Sequence, residues 1–339
     1  MQQPPKVSTP KSSIAIVDCH VHMVGHGKFG SGCTLNYDSP IRKLQARIIV
    51  NQMGLPLSVL EDNLEEIYVA QLLKHLSSSS LTHLALLANE HPYNETGERL
   101  PSSRGMYVPN ELVLKIGEQY PQLLPAVSIH PARKDALEEL ERCLERGAAL
   151  LKLLPNVQNV NCSLSAYAPF WKRMASAGLP LLAHTGGELA LPETNKTYRD
   201  PKLLRLPLEC GVTVIAAHGG TNSHYFDRDY TQDFLQMLQQ YPNLYGDISG
   251  LMTPIRSRHF KHFLPQQIQA RLVHGSDVPI PIQPLWLLLR GYLSIDDYLR
   301  LRRIKNPLER DIAAKRLMGF DESVFQRFGK LVRWAKPFT

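Results

Sequence analysis

Ile14-Ala15-Ile16-Val17-Asp18-Cys19-His20-Val21-His22 is a β-branched run that stops at an acid and two histidines. Successive side chains of an extended chain alternate faces, so His20 and His22 point the same way and can clamp one metal ion. The same kind of ending recurs downstream. Leu181-Leu182-Ala183-His184-Thr185-Gly186-Gly187, Val214-Ile215-Ala216-Ala217-His218-Gly219-Gly220 and Val273-His274-Gly275-Ser276-Asp277 are short apolar runs that each stop at an imidazole or a carboxylate. These are the ligands a catalytic divalent site uses when one position must stay open for water or substrate. A single such ending is an ordinary polar residue closing a strand; four of them at corresponding places point to one site.

Outward from these runs the chain alternates strand-like and helix-like segments. Eight strands are predicted, at 14–17, 83–87, 124–129, 149–154, 180–183, 212–217, 244–248 and 271–275. Segments such as 61–76, 135–146, 166–177 and 229–240 have the length and apolar period of helices with one buried face. Gly147, Gly178 and Gly211 stand where a helix C-cap glycine belongs. Eight strands alternating with helices in 339 residues predict a single (β/α)₈ TIM-type barrel, with its active site at the C-terminal ends of the strands. The expected organisation is a flexible N-terminal tail at 1–13 and one barrel domain over 14–339, whose residues from 306 onward form extra helices packed outside the barrel. Two long connections, 23–60 and 88–109, exceed the usual loop length and are expected to shape or cover the substrate site.

Composition narrows the function classes. Hydrophobic residues make up 43% and charged residues 20%, which excludes wholesale disorder. The formal charge of +7 raises the question of an acidic partner, and a non-catalytic nucleic-acid-binding or scaffold barrel is the reading it motivates. The basic residues are scattered, however. Their clearest excess (Arg300, Arg302, Arg303, Lys305, Arg310, Lys315, Arg316) is interrupted by Glu309 and Asp311, as on a solvated helix face, and no basic stripe interleaved with aromatics is evident. No nucleic-acid partner is expected. Five cysteines with no C-x-x-C pair give neither a disulfide framework nor a zinc knuckle and suit a reducing compartment. Residues 1–13 lack the apolar core of a signal peptide, and no stretch has the length of a membrane span. A soluble cytoplasmic protein acting on a small molecule is expected, with homo-oligomerisation left open.

The ordered set Asp18-x-His20-x-His22, Lys152 on the fourth strand, His184 on the fifth, His218 on the sixth and Gly275-Ser276-Asp277 on the eighth resembles the amidohydrolase superfamily. The flanking stretches Ser128-Ile129-His130-Pro131-Ala132-Arg133, Leu151-Lys152-Leu153-Leu154-Pro155 and His274-Gly275-Ser276-Asp277 look like its amidohydrolase-related ("amidohydrolase 2") metal-dependent hydrolase branch. The resemblance implies one or two divalent ions, zinc first and manganese as an alternative, held by His20, His22, His184 and Asp277. His218 then binds a second ion or polarises the substrate as a free imidazole. Asp277 takes the proton of a water whose pKa the metal lowers from 15.7 to about 7, and Asp18 orients its neighbours. Lys152 shares a strand face with Leu150 and Leu154, where a bare ammonium is costly. In two-metal members such a lysine is carbamylated and bridges the ions; in one-metal members it pairs with an acid. The implied reaction is hydrolysis of an ester, lactone, amide or related C–O or C–N bond. Non-oxidative decarboxylation of a small carboxylic acid is the alternative. Glu90, His91, His130, Arg133, Glu188 and His224 are loop candidates for substrate contact, and Arg133 and Arg104 are candidates for holding a carboxylate.

Overall fold

The computed structural model describes residues 15–36, 39–101 and 105–334. The expected tail at 1–13 and Arg104 lie outside the described residues. Eight strands form one parallel sheet in sequential order: β1 Val17–His22, β2 His83–Leu87, β3 Leu123–Val127, β4 Leu150–Leu153, β5 Leu181–His184, β6 Val214–Ala217, β7 Leu244–Asp247 and β8 Leu272–Val273. This is an α/β fold with a curled eight-stranded sheet. Backbone bonds also join its two ends: Cys19 N–H donates to His274 O (3.0 Å), Asp277 N–H to His20 O (2.9 Å) and His22 N–H to Val278 O (2.7 Å).

Strand parity separates two apolar layers. Outward residues such as Leu86, Val127, Leu151, Leu153, Leu181 and Val214 belong to the large core beneath the helices. Inward residues such as Val17, Leu87, Leu124, Leu150, Leu182 and Ile215 form a second cluster inside the curl. The helices earn their places by the same periodicity. In the helix Ala136–Glu145, Ala136, Leu140, Cys143 and Leu144 fall on one buried stripe, and in Thr231–Gln240 so do Thr231, Phe234, Met237 and Leu238. Gly147, Gly178 and Gly211 all adopt positive φ (85°, 63° and 90°), as their C-cap positions require.

Four sequence expectations need correction. The first strand extends to His22, because its backbone keeps pairing with β2 after the apolar run has ended. The connection 23–60 is not structureless: it holds a 13-residue helix, Pro40–Gln52 (here α1), opened by Ser39, whose side chain accepts from Arg42 N–H. A short antiparallel ribbon, Thr34–Leu35 with Met106–Tyr107, ties this connection to the one at 88–109. The C-terminal helices, Pro307–Leu317 (α2) and Glu322–Leu331 (α3), do not merely coat the outside, because Phe328 and Val332 pack into the inner cluster with Ala15 and Val17. Lys315 and Asp311, read as part of a solvated face, are a buried pair on α2, and Lys315 Nζ also donates to Gly275 O at 2.8 Å.

Candidate active site

His20, His22, Lys152, His184, His218 and Asp277 all come to the C-terminal end of the sheet, and all but His22 are buried. Three of their donor atoms form a near-equilateral triangle. His20 Nε2 lies 3.2 Å from His22 Nε2, and Asp277 Oδ1 lies 3.3 Å from each. A divalent ion with bonds of about 2.0–2.1 Å in a tetrahedron has ligand-to-ligand edges of about 3.3 Å. The residues present therefore fit such an ion. His184 and His218 flank the triangle: their rings are 5.0 Å apart, and His218 Nε2 is 4.0 Å from Asp277 Oδ2. His184 Nε2 faces Gly187 O at 3.2 Å and Glu188 Oε2 at 3.6 Å.

Local geometry is unusual where the chemistry gathers. His218 (φ 61°) and Asp277 (φ 70°) hold left-handed conformations that non-glycine residues adopt rarely and at a cost. In β1 the register against β2 shifts between Asp18 and Val21, a bulge that re-aims the end of the strand. Asp18 anchors this turn, its Oδ1 accepting from His20 N–H (3.0 Å) and Ser276 N–H (2.9 Å).

Electrostatics favour neutral imidazoles around an anionic carboxylate. Burial, reinforced by Lys152 for His20 and by Arg256 for His218, lowers both imidazoles well below the ordinary histidine range, and His184 is lowered in the same way. Burial alone would raise Asp277, yet His20, His22 and Arg256 outweigh it and hold the carboxyl at about 2. Lys152 is fully buried, which pulls its ammonium down to about 8 against the pull of Asp247 and Asp277. Its Nζ sits 3.1 Å from His20 Nε2, a corner of the triangle.

Sequence reasoning missed two participants. Asp247 ends β7, the one strand among the last four from which no ligand was read, although its inward acid was visible in Leu244-Tyr245-Gly246-Asp247-Ile248. Asp247 Oδ2 lies 2.6 Å from His20 Nδ1, and Oδ1 accepts from His218 N–H and Ser249 Oγ–H at 2.8 and 2.6 Å. A carboxylate on Nδ1 fixes the tautomer that leaves the His20 Nε2 lone pair facing the triangle. Ser249 does the same for His218, whose Nδ1 lies 3.1 Å from Ser249 O and 2.9 Å from its Oγ. The second residue is Arg256, buried in the short helical segment Arg256–Phe263, which carried no periodic signal.

Of the weaker candidates, Glu188 and His224 line a cavity of about 520 Å³ above the triangle, together with Arg256, His22, His184, His218 and Asp277. Arg133 does not reach it. Its guanidinium is tied to Glu90 at 2.6 Å and Asp135 at 2.7 Å. His91 stacks on Tyr107, and the His130 ring packs against Tyr93, also away from the cavity.

Residues 105–299, more than half of the chain, match the model of the amidohydrolase family, and the chain belongs to that family of enzymes. No curated protein matches it. An uncharacterized TIM-barrel protein from Bordetella bronchiseptica has a similar structure, with a TM-score of 0.56 at 18% identity over 90% of this chain and 98% of its own. A probable 2-pyrone-4,6-dicarboxylic acid hydrolase from Acinetobacter baumannii, solved with citric acid bound, gives 0.54 at 17% identity over 93% and 100%. At these identities the likeness is one of fold. No helix among the described residues is long and apolar enough to cross a membrane.

Proposed function

We propose that the protein is a metal-dependent hydrolase of a small molecule, built as one closed (β/α)₈ barrel domain over 14–339, acting in the cytoplasm on an ester, lactone or amide. The observation that carries this reading is the triangle of His20, His22 and Asp277 donors at the floor of a ligand-sized cavity. These three, with His184 and His218 beside them, would hold a divalent ion, zinc by preference for a nitrogen- and oxygen-rich site. Such an ion supplies a polarised carbonyl and a water acidic enough to attack at neutral pH.

The chain's own groups do the rest. Asp277, ionised and at the edge of the triangle, accepts a proton from the attacking water and returns it to the departing oxygen or nitrogen. The bond from water oxygen to the carbonyl carbon forms, the C–O or C–N bond breaks, and an acid and an alcohol or amine leave. His218, neutral and with Nε2 toward Asp277, has Nδ1 engaged by Ser249, so Nε2 is the atom it turns to the reaction. A second reading, decarboxylation, is supported by Arg256, a buried guanidinium lining the same cavity that can hold a carboxylate.

The test is metal removal with two product assays. Chelation is expected to abolish turnover of an ester, lactone and amide panel, and zinc or manganese to restore it. Asp277→Asn is expected to lower the rate about 10²- to 10⁴-fold with the fold intact. Carbon dioxide release in place of acid release would move the assignment to the second reading, and full activity in the metal-free protein would reject both.

A further inference from the structure

Resting on the hydrolase reading above, we infer that the substrate carries a hydrocarbon chain, with its scissile carbonyl at the His–Asp floor and the chain running up an aliphatic shaft beneath α1. The cavity has two unlike ends. The candidate catalytic groups gather at one of them: His22, His184, His218 and Asp277 at the floor, with Glu188 and Arg256 beside them, while Asn36, Arg42 and Gln45 are the polar residues that α1 and the segment before it add to a lining that is otherwise mostly apolar there. Above the floor the walls are aliphatic, with Ile49, Val50 and Met53 from α1, Leu60 and Leu64 from the segment that follows it, and Met106 from the ribbon. At about 520 Å³ the space is that of a small-molecule site.

The sequence of α1 explains the wall. Ile48-Ile49-Val50 is three β-branched residues in a row within a helix, a choice that helix propensity disfavours and that presents apolar surface over a wide arc. Val50 and Met53 are buried, while Ile48 and Leu189, which also line the cavity, are 43% and 58% exposed. The opening is therefore greasy as well as the shaft. A substrate polar along its length would lose its water against these walls without gaining partners, at a large cost. The cations that line the cavity do not relieve this: Arg42 donates to Asn36 O at 3.0 Å and Arg256 to Gly187 O near the floor. A hydrocarbon chain instead gains about fourfold in binding for each methylene buried.

The experiment measures kcat/KM of the zinc-loaded protein on p-nitrophenyl esters from acetate to octanoate and on γ-lactones with alkyl chains of matching length. The expected result is a rise approaching fourfold per added methylene, seen mostly in KM because the chain contacts are alike in ground and transition states. Ile49→Glu, which sets a carboxylate in the wall, is expected to lower the octanoate-to-acetate ratio at least tenfold; because it is a ratio within one preparation, partial misfolding does not mimic it. Turnover that is flat or falls with chain length overturns the inference and leaves the hydrolase reading standing. A rising series with an unchanged ratio in Ile49→Glu also overturns it, since the chain would then lie elsewhere. Absence of turnover on every ester, lactone and amide with zinc fully bound rejects the hydrolase reading itself.

Discussion

Replacing Asp247 by asparagine tests whether the site is held from beneath. Asp247 touches no corner of the donor triangle except through His20, whose Nδ1 lies 2.6 Å from its Oδ2, and it also accepts from His218 N–H and Ser249. Asparagine keeps the volume and one carbonyl. It must either turn its NH₂ toward His20 Nδ1 or surrender the bonds to His218 and Ser249. In the first case His20 is pushed toward the other tautomer, with a proton on Nε2 where a lone pair is needed. Loss of such an outer partner typically weakens metal binding 10- to 100-fold, which is about 1.4–2.7 kcal/mol. For a chain of 339 residues, with an unfolding entropy near 2.1 cal/mol/K per residue, the zinc-saturated protein should melt roughly 2–4 °C lower through metal linkage alone. Competition with a chromophoric chelator gives the zinc Kd, and thermal melts with and without zinc separate linkage from direct loss of buried hydrogen bonds. A zinc Kd within twofold of the unmodified protein would refute the argument, whatever happened to activity.

Two further predictions concern other buried groups. Because Lys152 Nζ lies 3.1 Å from His20 Nε2, a corner of the His20–His22–Asp277 triangle, and the other candidate group (His20, His218, Asp247) shares that same histidine, we expect one ion per chain, unchanged in number in Lys152→Met and indifferent to added bicarbonate; elemental analysis finding two ions that fall to one or none in the variant would establish a carbamate bridge instead. His130 is pushed down to about 4 by burial, so the unfolded chain takes up its proton first as pH falls. Its contribution is fully present above about pH 6.5 and is lost as the pH drops toward 4, the loss reaching about 2 kcal/mol by pH 5. His130→Asn should then lose correspondingly less stability than the unmodified protein between pH 7.5 and pH 5 in urea titrations, and parallel losses would refute the assignment.

The strands were legible because each is a short apolar run bounded by a glycine or a polar ending, and the sequential parallel order of the sheet followed from their alternation with helices. The four polar endings that the structure gathers at one end of the sheet were legible for a related reason: a polar residue that closes an apolar strand has few other places to go. What was not legible depended on contacts between distant segments. Asp247 reads as an ordinary strand-end acid until the structure sets it 2.6 Å from His20, 227 residues away. Arg256 lies in a segment without periodicity, and nothing local marks it as buried. Lys315 looked like one more charge on a solvated helix because its partner Asp311 and its acceptor Gly275 O are joined only in three dimensions. The helix α1 was read as loop because its apolar residues face a cavity and solvent more than a core, so their spacing gave no single stripe.

The His274-Gly275-Ser276-Asp277 stretch shows how a motif read as chemistry is also a packing requirement. A Cβ on residue 275 would stand 2.8 Å from His20 Cβ and 3.2 Å from Cys19 Sγ, so only glycine lets the chain after β8 lie this close to β1. That approach allows Ser276 N–H to reach Asp18 Oδ1 and Asp277 N–H to reach His20 O. Those two bonds, with the left-handed turn at Asp277, aim its carboxylate at the imidazoles of the neighbouring strand. The bulge in β1 completes the fit from the other side by turning His20 and His22 inward together, beyond the layer that Val17 and Cys19 fill. The donor triangle therefore stands where the first and last strands meet. Its geometry depends on that junction holding, and α2 and α3 guard it from below: Lys315 fixes Gly275 O, and Phe328 fills the space beneath β1.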